Sequence, residues 1–90
     1  MGSAEFKVPN GKLVEAKVKI SNEKISEIRI SGDFYMHPEE EIEELEKILL
    51  GVNIEKVSDT VSKFFKKKKI SLVGIEPKDF VKVILMAAQV

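Results

Sequence analysis

The chain has 90 residues, with 15 basic and 15 acidic side chains and a formal charge of zero. This length accommodates one domain, and the balanced charge gives no general attraction to nucleic acid or to an anionic membrane. Because the chain has no cysteine, disulfide scaffolds, cysteine-held metal sites and thiol nucleophiles are excluded.

The N-terminus lacks the basic region and apolar core of a signal peptide. No apolar run approaches the roughly 20 residues that a membrane span needs. We therefore expect a cytoplasmic protein without a membrane partner. Residues 1–4 are predicted to be a disordered leader or an expression remnant, and residues 5–90 are predicted to form a single domain.

Residues 5–32 are predicted to form a three-stranded antiparallel meander. The middle strand alternates charged positions with the apolar residues Val14, Ala16, Val18 and Ile20. Before it, Asn10-Gly11 favours a type I′ hairpin turn, because both central residues of that turn need positive φ. Ile25 is out of phase with Ile28 and Ile30, which indicates a bulge or an irregular start of the third strand.

Three helices are predicted after residue 37. The first begins at Pro38 and ends before Gly51, with apolar residues at Ile42, Leu45, Ile48 and Leu49. The second runs from Asn53 or Ile54 to Lys67, and the third begins at Pro77. Residues 70–75 form either a short fourth strand or an extended connector. One sheet with three helices on one face is an α+β fold.

Few residues are suited to catalysis. His37 is the only histidine, and its position before Pro38 is most simply explained as flanking a helix rather than transferring protons. Glu39, Glu40 and Glu41 are consecutive, so on a helix they point about 100° apart and do not converge. The glycines do not have the spacing of a phosphate-binding loop. We predict no catalytic residue and no metal site.

Two segments are candidates for contact with a partner. Phe34 and Tyr35 are adjacent, so in an extended backbone their side chains point in opposite directions. Either both are buried in different places, or one of them contacts a partner, where tyrosine is enriched. The basic cluster Lys63–Lys69 is either a solvated helix end or a contact for nucleic acid or an acidic protein.

Several blocks resemble the accessory domain of lipoate–protein ligases. The block at residues 7–13, Lys-Val-Pro-Asn-Gly-Lys-Leu, is similar to the start of that domain, and residues 28–35, Ile-Arg-Ile-Ser-Gly-Asp-Phe-Tyr, are similar to a strand within it. Residues 37–46 resemble its first helix, and residues 74–80 resemble the lead into its last. Two departures are mild: Asn10 replaces a common glycine and Tyr35 a common phenylalanine.

The resemblance implies a fold like the SufE/NifU-type scaffold and a role as a non-catalytic accessory subunit in a split, two-subunit ligase. It further implies that a large catalytic subunit binds lipoate and ATP with Mg, while this chain alone binds no cofactor. Docking of this chain would enable formation of lipoyl-adenylate. The carriers served indirectly would be the lipoyl domains of 2-oxoacid dehydrogenases and the glycine-cleavage H protein.

We expect two segments to face the large subunit, because they place a turn and an aromatic-rich stretch at neighbouring ends of one sheet. The interface residues predicted are Pro9, Asn10, Gly11, Lys12, Gly32, Asp33, Phe34, Tyr35 and His37. Two other interpretations stay open. One is a stand-alone binding module that uses Lys63–Lys69 on nucleic acid or an acidic protein, and the other is a small independent enzyme.

Overall fold

The computed structural model of the chain describes residues 2–89. It contains five strands and three helices in the order β1 (Gly2–Lys7), β2 (Leu13–Ser21), β3 (Lys24–Gly32), β4 (Tyr35–His37), α1 (Glu41–Leu49), α2 (Val57–Lys67), β5 (Ser71–Val73) and α3 (Pro77–Ala88). A single 3₁₀ turn, Ile54–Lys56, leads into α2.

The predicted meander is confirmed. Strands β1, β2 and β3 form one antiparallel sheet in that order, with Ala16 opposite Ala4 on one side and Ile30 on the other. Alternate residues are buried along β2, as the sequence pattern predicts. The opposite face is exposed and carries the charged side chains Lys17, Lys19, Glu27 and Arg29.

The helices cover the apolar face of this sheet. Helix α3 contacts β1 and β2, α1 contacts β3, and α2 packs against both of these helices. The largest fully buried side chains come from every layer and include Val14, Val18, Ile25, Leu45, Leu49, Val61, Phe80 and Ile84. The expected α+β architecture is therefore confirmed.

The first of the two hairpin turns differs from expectation. A type I′ turn at Asn10-Gly11 is wrong: only Asn10 has positive φ, at 58°, and the Gly11 N–H donates to the Val8 carbonyl at 2.8 Å. Pro9 therefore occupies the second turn position, where its fixed φ suits a type II turn. The type I′ signature lies instead between β2 and β3, where Asn22 and Glu23 have φ of 52° and 66°.

The expected irregularity near Ile25 is confirmed as a bulge. The register of β2 and β3 shifts between Lys19 and Ile20, so that Ile20 lies opposite Ile25 and Lys19 opposite Glu27. Ser26 is the extra residue, and its hydroxyl donates to the Lys19 carbonyl at 3.1 Å. The bulge returns Ile25 to the buried face, where it is 1% exposed.

Two predicted boundaries are wrong. Gly2 to Ala4 are not a disordered leader, because they continue β1 and lie opposite Val18 to Ala16 of β2; Met1 lies outside the described residues. Helix α1 begins at Glu41 rather than Pro38, because residues 38–40 form a turn in which the Glu41 N–H donates to the Pro38 carbonyl at 3.2 Å. The predicted stop at Gly51 is confirmed by its φ of 83°.

The last helix begins as predicted. Pro77 is the first residue of α3. The buried Asp79 carboxylate accepts the Glu76 N–H at 2.8 Å, which satisfies a backbone donor at the start of the helix.

Part of the outer edge of β3 is covered by the chain itself. The Ile30 N–H donates to the Glu46 carboxylate of α1 at 2.7 Å. Farther along the strand, the Ile25 N–H donates to the Val52 carbonyl and the Gly51 N–H to the Ile25 carbonyl.

A second, two-stranded sheet lies outside the meander. Strand β4 pairs antiparallel with β5, placing Tyr35 opposite Val73 and His37 opposite Ser71. Residues 71–73 are thus a strand, as one of the two alternatives predicts, but they do not extend the main sheet. Residues 35–37 form its partner strand.

No helix formed by residues 2–89 is long and apolar enough to cross a membrane.

Replacing Glu23 with glycine is expected to stabilise the protein. The left-handed conformation costs a residue with a Cβ roughly 1 kcal/mol, whereas glycine adopts it freely. Glycine also raises the entropy of the unfolded chain, which offsets part of this gain. The free energy of unfolding should therefore rise by about 0.5 kcal/mol. Urea denaturation measures this change. The matched control Glu27→Gly, on the exposed face of β3, should lower stability by about 0.5 to 1 kcal/mol. A loss of stability in Glu23→Gly would contradict the turn.

Candidate docking surface

Two hydrogen bonds fix the chain where it leaves the main sheet after β3. The Leu13 N–H donates to the Asp33 carboxylate at 2.7 Å, and the Asp33 N–H donates to the Leu13 carbonyl at 3.2 Å. Gly32 permits this approach, because a Cβ there would collide with the Leu13 carbonyl oxygen. The segment that continues into β4 is therefore attached to the start of β2.

The loop between β1 and β2 is attached to the end of β5. The Lys12 N–H donates to the Gly74 carbonyl at 2.9 Å. Gly11 lies so close to this carbonyl that an added Cβ would be 2.6 Å from its oxygen. Gly74 has a φ of 84°, and a Cβ there would collide with the Lys12 side chain. Lys12 consequently lies directly beside the last residues of the small sheet.

These attachments create an exposed surface that we call the tyrosine surface, formed by Lys12, Tyr35, His37 and Val73. Tyr35 and Val73 are cross-strand partners that are 53% and 59% exposed. The His37 ring stacks beside Tyr35, with 6.4 Å between ring centroids and 10° between planes. A shallow cavity of ≈ 320 Å³ adjoins Tyr35 and extends to Glu39 and Ile42. An exposed aromatic and aliphatic pair of this kind is suited to contact with another protein.

The structure assigns different roles to the nine predicted interface residues. Lys12, Tyr35 and His37 are exposed at the tyrosine surface, and Pro9 and Asn10 form the exposed tip of the adjoining loop. Gly11, Gly32 and Asp33 serve the backbone contacts that hold the segments together.

Phe34 does not belong to the exposed surface. Its ring packs edge-on against Phe80, with 5.3 Å between centroids, and Phe80 in turn stacks on Phe65 at 5.6 Å. The extended backbone turns Phe34 inward and Tyr35 outward. Because Phe34 is half-buried and also lines the cavity beside Tyr35, its contact with a partner stays a prediction.

Val73 and Gly74 are the members of the region that sequence reasoning missed. The short apolar run 70–75 allows either a strand or an extended connector. Its pairing with β4, more than thirty residues earlier in the chain, has no local signature.

The polar side chains of the tyrosine surface are those of Lys12, Tyr35 and His37. Within residues 2–89, no three His, Asp or Glu side chains come together in a way that could hold a metal ion. The His37 ring lies beside that of Tyr35, and His37 is opposite Ser71 across the two strands.

The basic cluster forms a second feature, which we call the lysine groove. It lies between α1 and α2, has a volume of ≈ 340 Å³, and is lined by Ile48, Thr60, Lys63, Phe64, Lys67 and Lys68. Lys68 already has partners within the chain, because its Nζ lies 2.9 Å from the Glu41 carboxylate and 5.1 Å from the centre of the Phe64 ring. Lys63 and Lys67 have no ion-pair partner among the described residues.

Comparison with known proteins identifies the family. Residues 4–84 match the family described as the bacterial lipoate protein ligase C-terminus. The chain belongs to this family. The resemblance inferred from the blocks at residues 7–13 and 28–35 is thereby confirmed.

A curated relative and a solved structure are similar to the chain over most of its length. The chain is 38% identical over 81 residues to lipoate-protein ligase A subunit 2 of Thermoplasma acidophilum, covering 90% of this chain and 84% of the relative. A solved structure of an archaeal lipoylation system from the same organism, a bi-partite lipoate protein ligase and its E2 lipoyl domain, matches with a TM-score of 0.83 and 34% identity over 90% of both chains. The expected accessory subunit of a two-part ligase is confirmed.

Removing the Asp33 carboxylate should loosen the attachment of β4. Asp33→Ala leaves the Leu13 N–H without its acceptor, so we expect a loss of about 1 to 2 kcal/mol in the free energy of unfolding and faster hydrogen exchange at the Leu13 amide. Asp33→Asn retains an acceptor oxygen and should keep most of the protection. Equal exchange at Leu13 in the two variants would contradict a role for this hydrogen bond.

Proposed function

We propose that this ligase subunit acts by docking its tyrosine surface on a large catalytic subunit, and that docking enables the large subunit to activate lipoate with ATP. Membership of the ligase C-terminal family is the observation that carries the proposal. The large subunit would bind lipoate and ATP with Mg and form lipoyl-adenylate. The lipoyl group would then pass to carrier domains, such as those of 2-oxoacid dehydrogenases and the glycine-cleavage H protein.

The composition of the tyrosine surface supports its choice as the contact region. Tyrosine is among the residues that dominate binding energy at interfaces, especially where it is flanked by other apolar groups. Tyr35 and Val73 present such a pair side by side, and the adjoining cavity can receive a side chain of the partner. Lys12 adds one positive charge at the rim, where charges influence association rate and orientation.

The rigidity of this region also suits docking. Backbone hydrogen bonds at Asp33 and Lys12 hold two loops in place before any partner arrives. A preorganised surface loses less conformational entropy on binding, so more of the contact energy remains to bias the partner toward its active conformation. A subunit without reactive groups can accelerate adenylation in this way. The cytoplasmic location expected from the sequence stays a prediction.

The activating role can be tested by measuring pyrophosphate release from lipoate and ATP by the large subunit, with and without this chain. We expect release to require both chains, because the large subunit alone would not populate its active conformation. The chain alone should release none. Equal rates with and without this chain would contradict activation, and turnover by this chain alone would support the independent-enzyme interpretation.

The contact region can be tested with surface variants. Tyr35→Ala should weaken binding to the large subunit about tenfold, which corresponds to about 1.4 kcal/mol, and Lys12→Ala should weaken it about threefold. Isothermal titration calorimetry measures both. Saturating concentrations of Tyr35→Ala should restore pyrophosphate release, because the variant loses affinity and not the bound conformation.

Two controls separate contact from folding. Tyr35→Phe keeps the aromatic area and should bind nearly normally. Lys17→Ala removes a charge on the exposed sheet face and should bind like the original chain. Unchanged affinity in Tyr35→Ala, with an unchanged circular dichroism spectrum, would place the large subunit elsewhere on this chain.

A further inference from the structure

We propose that the lysine groove is a second binding site, separate from the tyrosine surface, and that its occupant is an acidic amphipathic helix of a partner protein. The groove combines an apolar floor with a basic rim. Ile48 of α1 is 36% exposed at the floor beside Phe64 of α2, and Lys63 and Lys67 stand at the rim. This arrangement matches a segment that has apolar anchors flanked by carboxylates.

The walls of the groove favour a helix over an extended peptide. Both walls are α-helices, whose backbone groups are already paired within the helix. The walls therefore provide no free row of N–H and C=O groups to which an extended strand could hydrogen-bond. An occupant buried here must satisfy its own backbone, which a helix does. The residues of α2 that line the groove run from Thr60 to Lys67, a length of about 10 Å, so the groove accommodates about two turns.

The lysine spacing specifies the charge pattern of the occupant. Lys63 and Lys67 are four residues apart on α2, so they lie on one ridge about 5 to 6 Å from each other. Carboxylates one helical turn apart on a facing helix have the same spacing. The pairing of Lys68 with Glu41 closes one end of the groove and leaves the other two lysines for the occupant.

The same features argue against nucleic acid as the occupant. Single-stranded nucleic acid binds on exposed aromatic faces, whereas Phe64 is only 5% exposed and lies under Lys68. Within the groove only Lys63 and Lys67 are left to neutralise phosphates, and the chain as a whole carries no net positive charge.

The proposal is tested with a synthetic helical peptide titrated into the intact chain and observed through the methyl NMR signals of Ile48 and Thr60. The probe is a peptide of about 18 residues, with leucines every third or fourth position and glutamates beside them, long enough to be helical in water. A matched peptide carries glutamine in place of glutamate. We expect the acidic peptide to shift both methyl signals and the glutamine peptide to bind several-fold more weakly.

Variants of the chain identify the groups involved. The double variant Lys63→Gln, Lys67→Gln should lower the affinity for the acidic peptide about fivefold, as expected for the loss of two partly exposed charge pairs. Ile48→Ser should lower the affinity for both peptides, because it removes the apolar floor of the groove. The control Lys17→Gln with Lys19→Gln makes the same charge change on the far side of the sheet and should leave affinity unchanged.

Three results would overturn the proposal. They are an absence of shifts at Ile48 and Thr60 with the acidic peptide, equal binding of the two peptides, and tighter binding of a single-stranded oligonucleotide through the same two lysines. The result is independent of docking by the tyrosine surface, because none of the groove variants alters Lys12, Tyr35 or Val73. The lysine groove can fail this test while the activating role stands, and the reverse is also true.

Discussion

The attachment of Asp33 to Leu13 is the constraint on which the rest of the molecule depends. The main sheet ends at Gly32, and a three-residue strand such as β4 has too few hydrogen bonds to fold alone. Asp33 supplies the missing anchor by accepting the Leu13 N–H and donating to the Leu13 carbonyl. With β4 placed in this way, β5 has a partner, and the chain can pass from α2 to α3.

The anchor acts together with an aromatic cluster. Phe34 follows Asp33 directly and packs on Phe80, the fully buried aromatic residue of α3. Phe65 of α2 also stacks on Phe80. The link between the two sheets is therefore polar at the backbone and aromatic at the side chains. This division lets Tyr35, one residue later, face outward without cost to the core.

Features set by local pattern could be predicted from the sequence, and features set by distant contacts could not. Alternation along β2 and the apolar stripes of the helices identify the layers, because burial imposes their periods. The turn at Asn10-Gly11 misleads because Pro9, one position earlier, imposes its own geometry. Glu23 adopts a left-handed conformation that is unfavourable for a residue with a Cβ, because contacts with the segment after α1 hold it there. One of these contacts is the hydrogen bond that the Ile54 N–H donates to the Glu23 carbonyl at 2.9 Å.

The candidate site follows the same division. An outward Tyr35 is one of two alternatives that strand geometry allows, and a short strand is one of the two alternatives for residues 70–75. The contact between Tyr35 and Val73 depends on β4 meeting β5, which only the assembled fold brings about. The lysine groove likewise depends on the packing of α1 against α2, although its lysines are evident in the sequence as a charged run.

The covered edge of β3 has a consequence for how this small protein behaves at high concentration. An open sheet edge is a template on which copies of a chain can stack into fibrous aggregates. Glu46 and residues 51–53 occupy donors and acceptors along β3, so strand addition is obstructed on that side. At the other edge, Glu5 and Lys7 place charges along β1. Strand addition between copies of the chain is therefore obstructed at one edge of the sheet and opposed by charge at the other.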